Sequence, residues 1–164
     1  MLTEPKIVEK SDQPYAAIVL ELAQPEIAAK APPLIADVIK WIEAHGARHS
    51  GPPFFNYVEF RPDGRMVMHV GMPTTTVLQA DDGMKTGKIP GGRYASVTHT
   101  GPYHELHEAN MALDDWTKKQ GLVLDGAVKG DGFVGANRIE IYHKDPGEDP
   151  SGHPVTEVAF RIKD

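Results

Sequence analysis

The order of elements in this chain runs twice, and that constrains its fold more than any other feature. Pro14-Tyr15-Ala16-Ala17-Ile18 is echoed by Arg93-Tyr94-Ala95-Ser96-Val97, 79 positions later, and Trp41 and Gly46 recur as Trp116 and Gly121, 75 positions later. In the first half, strand-like Ile7-Val8 precedes a strand at Tyr15 to Leu20. Pro32-Pro33 then opens a helix with the apolar stripe Leu34, Val38 and Trp41, closed by His45 and Gly46. A hairpin follows, Phe54 to Phe60 and Met66 to Val70, turning at Pro62-Asp63-Gly64. Thr74 to Gly92 reads as loop. The second half repeats the plan: a strand at Tyr94 to Thr100, a Gly101-Pro102 turn, a helical stripe of Leu106, Ala109, Leu113 and Trp116, then strands at Arg138 to Tyr142 and Val155 to Ile162. Neither half buries its apolar face alone. The expectation is a single α+β domain over residues 1–164, a duplicated β-α-β-β unit. Repeat 1 covers about 5–75, a loop 76–91 and repeat 2 about 92–164, with one antiparallel sheet, two helices on one of its faces and a ligand groove between the repeats.

Composition excludes several classes of partner. The 164 residues carry 17 Lys and Arg against 23 Asp and Glu, a formal charge of −6 with the acids scattered, so the basic footprint of a nucleic-acid binder is missing. There is no cysteine, hence no disulfide framework and no thiolate nucleophile. No apolar run approaches a membrane span and the N-terminus lacks a signal pattern, so the expectation is a cytoplasmic protein with no membrane contact.

Two motifs invite chemistry and fail on context. Gly130-Asp131-Gly132-Phe133-Val134-Gly135 spells G-x-G-x-x-G, but a dinucleotide site needs a strand before it and a helix opening from it. Here a helix precedes and a strand follows, so a flexible loop is expected and no cofactor. His104-Glu105-Leu106-His107-Glu108 places its histidines three apart, where the zinc-protease helix needs four. A solvated first helical turn and no metal are expected. No serine elbow or P-loop is present.

The alternation in Arg138 to Tyr142 poses the functional question. Ile139 and Ile141 are expected under the helices, leaving Glu140 and Tyr142 on the opposite, groove side. By the same rule Val158, Phe160 and Ile162 face the helices, and Glu157, Ala159 and Arg161 face the groove. Two repeat registers give opposite answers for Tyr57 and Glu59, so their facing stays open. Glu140 reads either as a wet-face acid or as an anchor for cations in a half-enclosed aromatic groove, where cation–π attraction adds about 0.5–2 kcal/mol.

Residues across nearly the whole chain carry a resemblance. Arg93-Tyr94-Ala95, the run Gly101-Pro102-Tyr103-His104-Glu105-Leu106-His107-Glu108-Ala109, Trp116, Gly121, Ile139-Glu140-Ile141-Tyr142, Asp145-Pro146 and Thr156-Glu157-Val158, with Gly71-Met72-Pro73 in the first half, resemble the GyrI-like small-molecule-binding domain. That domain also serves as the effector-binding part of AraC- and MerR-type multidrug-sensing regulators. The resemblance implies a duplicated β-α-β-β fold and a cleft for small, often lipophilic and cationic compounds. It matches Glu140 to the family's ligand-facing glutamate. Asn110 stands where many members have an aromatic, Ala159 where they have a tyrosine, and Arg161 where they often have proline. An Arg161 that reached Glu140 would weaken cation preference and favour a polar or zwitterionic ligand. The first strand begins within ten residues of Met1, so no DNA-binding segment is expected before it. Three roles follow in order: a small-molecule-binding module with Glu140 as anchor and Tyr142 as groove wall, a hydrolase of strained cyclopropane-type electrophiles with Glu140 as acid/base, and a protein-interaction role like that of a gyrase inhibitor.

Overall fold

A computed structural model describes residues 1–164. Its strands are β1 (Lys6–Lys10), β2 (Gln13–Ala23), β3 (Phe54–Phe60), β4 (Arg65–Pro73), β5 (Lys85–Ile89), β6 (Gly92–Thr100), β7 (Ala127–Lys129), β8 (Gly132–Lys144) and β9 (Val155–Arg161). Its helices are the single turn α1 (Ile27–Lys30), α2 (Leu34–Ala44) and α3 (Leu106–Lys119). No helix is long and apolar enough to cross a membrane.

The strands form one curled antiparallel sheet in the order β1-β6-β9-β8-β3-β4-β2-β5, with the short β7 on β8. The duplication is legible in that order. Read outward from the β8–β3 joint, β8-β9-β6 mirrors β3-β4-β2, so the two β-α-β-β units meet along their equivalent middle strands. Phe55 pairs with Glu140, and Tyr57 with Arg138, across this joint.

Directly paired residues share a sheet face. Ile18, Val70, Phe55, Glu140, Val158 and Val97 therefore form one continuous row across six strands. This is the helix-bearing face. α2 buries Val38, Trp41 and Ile42 against Ala16 and Met72 at one end, and α3 buries Leu106, Ala109 and Leu113 against Val97, Val158, Phe160 and Ile162 at the other.

The facing expected for β8 needs correction. Ile139 and Ile141 lie on the face without helices, while Glu140 and Tyr142 share the helix-bearing face with Val158 and Phe160. The sheet curls far enough to enclose a second core on that other face, where Tyr15, Ala17, Phe54, Ile89, Tyr94, Ile139 and Ala159 pack together. Alternation separates the two faces of a strand, but when both are buried it does not say which one lies under the helices.

Two segments read as loop are strand. Lys85–Ile89 pairs with β2 inside the Thr74 to Gly92 stretch. Gly132–Gly135 opens β8, and β7 folds back on it as a hairpin, with Lys129 opposite Gly132. Gly132 has no room for a side chain: a Cβ there would lie 2.0 Å from the Phe60 carbonyl oxygen. Gly132 thus allows a close approach of two backbones.

Candidate ligand-binding site

Each helix covers the outer strands of its own repeat, and neither covers the joint. The trench over β3 and β8 is a cavity of about 830 Å³, walled by α1 and the start of α2 on one side and by α3 on the other. Phe55, Tyr57, Phe60, Tyr103, Tyr142 and Phe160 supply its aromatic surface, with His104 and His107 also along its wall. Tyr142 meets Phe55 edge-on at 4.9 Å between ring centres and Tyr103 at 5.9 Å. The Gly101-Pro102 turn sets Tyr103, 43% exposed, beside it.

Glu140 lies in this cavity and is only 6% exposed. The Tyr57 hydroxyl donates to Oε1 at 2.9 Å and the Tyr142 hydroxyl donates to the same oxygen at 2.7 Å. Asn110, reaching over from α3, donates through Nδ2 to Oε2 at 2.9 Å and also to the Leu106 carbonyl at 2.8 Å. These three bonds offset the cost of burying the carboxylate. A carboxylate has about four acceptor positions, so one remains open, on Oε2.

Both tyrosines are fixed as donors. Burial first, and then the charge of Glu140, pushes their hydroxyl pKa values well above the ordinary tyrosine range. No Lys or Arg is within ion-pair distance of Glu140: its partners are two phenols and an amide.

The structure brings Glu140, Tyr142 and Asn110 together and leaves the other two sequence candidates outside. Ala159 is fully buried in the second core, on the opposite face. Arg161 shares that face, since it pairs with Tyr94, and it does not reach Glu140. Its Nε donates to the Gly91 carbonyl at 2.9 Å, and its Nη groups reach Asp125 at 3.3 Å and Asp164 at 3.0 Å. The physical reason is parity: positions 159 and 161 alternate with 158 and 160, which share the face of Glu140.

Sequence reasoning also missed residues that line the cavity. Tyr57 could not be placed because a bulge between Tyr57 and Glu59 resets the alternation, leaving Tyr57 and Phe60 on the same face three positions apart. Arg138 lies two positions before Glu140 and so on its face; the alternation already contained that signal. The Arg138 guanidinium lies over the Phe133 ring at 4.2 Å and the Phe160 ring at 5.0 Å, and it approaches Asp114 at 3.5 Å.

Comparison with known proteins places the fold. Among curated protein sequences none matches the chain. Solved structures do. The C-terminal domain of EcmrR is 17% identical with a TM-score of 0.77, covering 98% of this chain and 97% of that domain. In the EcmrR–DNA complex the match spans 57% of the EcmrR chain. SAV2435 bound to tetraphenylphosphonium is 13% identical, TM-score 0.68, over 98% of this chain and 94% of the other. A hydrolase encoded by lin2189 of Listeria innocua is 15% identical, TM-score 0.57, over 98% and 92%. At these identities the likeness is one of fold. The model of the GyrI-like small molecule binding domain matches residues 3–163, almost end to end, and the chain belongs to that family.

Proposed function

We propose that this domain binds small lipophilic cations of aromatic character in the cavity over the β3–β8 joint, with Glu140 as electrostatic anchor and Tyr142, Tyr57 and Phe55 as walls. One observation carries the reading: Glu140 is a buried carboxylate held by three neutral donors, with no cation of its own, inside a large aromatic-lined cavity. Low-dielectric surroundings strengthen its pull on a ligand's positive charge, and the aromatic faces add cation–π attraction. The neighbour SAV2435 bound to tetraphenylphosphonium supplies the first probe. In a thermal-shift titration, tetraphenylphosphonium at a hundredfold excess over its dissociation constant should add about 2.7 kcal/mol of stability to the wild type. Glu140→Gln should lose most of that shift. An equal shift in both proteins would remove Glu140 from the role of anchor.

A second reading is favoured by the Tyr57–Glu140–Tyr142 cluster, in which two phenols and a carboxylate lie within proton-exchange distance, and by the likeness to a hydrolase fold. In that case Glu140 positions or deprotonates a water against a strained electrophile, with a phenol as proton donor. Turnover of such a compound, abolished by Tyr57→Phe and by Tyr142→Phe, separates it from simple binding.

A further inference from the structure

Arg138 gives the cavity a second pole. It stands on β8 two residues before Glu140 and on the same face, so the two backbone positions are about 6–7 Å apart. Its side chain lines the cavity, 24% exposed, and the Phe133 and Phe160 rings hold it in place. Those contacts occupy guanidinium faces and leave the in-plane N–H donors free.

Arg138 uses those donors poorly within the protein. It makes no hydrogen bond, and its one ionic contact is Asp114 Oδ1 at 3.5 Å. The other oxygen of Asp114 is closer to Lys118, at 2.9 Å, so the single acid is shared between two cations. The Arg138 Nε is buried without a partner, which leaves the Nη groups to meet an incoming acceptor. Arg161 is different: it satisfies Nε, Nη1 and Nη2 with Gly91, Asp125 and Asp164. An arginine that serves packing alone would be expected to find such partners, because its planar fork suits paired acceptors.

We infer that Arg138 is a second anchoring residue, which takes a carboxylate of the ligand while Glu140 takes its cationic end. The preferred ligand class is then a flat aromatic amphoteric compound, with an ammonium or amidinium group at one end and an acidic group at the other. This rests on the reading of the cavity as a ligand site and specifies what the site selects. A zwitterionic preference then arises through Arg138 rather than through Arg161.

The test compares para-aminomethylbenzoate, a zwitterion, with its methyl ester, a monocation, and repeats the comparison with the biphenyl homologues of both. Calorimetry on the wild type should show the acid binding about tenfold tighter than the ester, as one charge-assisted pair provides. Arg138→Gln should erase that ratio, chiefly by weakening the binding of the acid. Asp114→Asn, which releases Arg138 from its only ion pair, should raise the ratio above the wild-type value. This second variant keeps the inference falsifiable should Arg138→Gln fail to fold. If the wild type binds the ester as tightly as the acid, or binds tetraphenylphosphonium and neither pair, the inference falls while the cavity remains a cation site. If none of these compounds binds, both readings fall.

Discussion

Glu140, buried, and Glu157, partly buried, are acids on adjacent strands, one register step apart, and they are treated in opposite ways. Glu157 lies on the face without helices, beside Ile141. It receives Lys10 Nζ at 3.1 Å, His143 Nε2 at 3.0 Å and the Ser96 hydroxyl at 2.7 Å. Burial alone would raise its pKa, but the bonds from His143 and Ser96 and the Lys10 charge hold it down to about 2. Its counter-charge comes from inside the chain. Glu140, on the other face, receives only neutral donors, and the space beside it is a cavity. An acid with its own cation stabilises the fold. One left without a cation, yet sheltered from water, is what the proposed cation-binding role requires.

The largest effects on stability should come from the face without helices, on acidification. His69 there stacks on Tyr15, and burial, with the Lys85 charge behind it, lowers its pKa from 6.5 to about 4. The unfolded chain takes up that proton below pH 6.5, whereas the folded protein refuses it until about 4. Stability is therefore complete above pH 6.5 and falls by on the order of 3 kcal/mol between 6.5 and about 4. Glu157 acts in a lower window. Its contribution is present above pH 4.5 and is lost, again on the order of 3 kcal/mol, as pH falls towards about 2. Urea unfolding across this range should show two descending limbs. His69→Phe should flatten the first and Glu157→Gln the second. A single limb untouched by either substitution would break the contrast between the two faces.

Next in size is the exchange of roles under substitution. Glu140→Gln should weaken tetraphenylphosphonium binding by about tenfold to a hundredfold, which is about 1.4–2.8 kcal/mol. Glu157→Gln should leave that affinity unchanged, because its carboxylate lies across the sheet from the cavity. Equal losses in the two variants would mean that net charge, rather than position, draws the ligand in.

Much of the fold is legible in the sequence. The duplicated order of elements led to the sheet and its helices, since turns, caps and helical stripes are local signals. The faces were harder. Val158 and Phe160 are placed under a helix correctly, while Glu140, the cross-strand partner of Val158, is assigned away from it. Each strand was read alone, and a buried second core made Ile139 look like a residue beneath a helix. The pairing of Glu140 with Val158 settles the matter, but a strand's register is not written in its own alternation. The Tyr57 bulge hid a carboxylate partner for the same reason. Ala159 and Arg161 do lie away from the helices, as expected, but the cavity is on the other face.

Asn110 offers the finest test of the comparison. It does for Glu140, weakly and without charge, what Lys10 does for Glu157, by donating one hydrogen bond from another element. Asn110→Ala removes a bond to a buried carboxylate and opens space above Oε2. The free protein should lose about 1.5 kcal/mol, the lower end for a hydrogen bond to a charged group. The carboxylate oxygen so released would have two open acceptor positions instead of one. A cation carrying N–H donors should then bind a few-fold more tightly, whereas tetraphenylphosphonium, which has none, should gain only from the added space. Titrating both probes against the same variant separates the two effects. If the donor-bearing cation gains nothing over tetraphenylphosphonium, the open position on Oε2 is not where the ligand's donor sits, and Glu140 acts by charge alone.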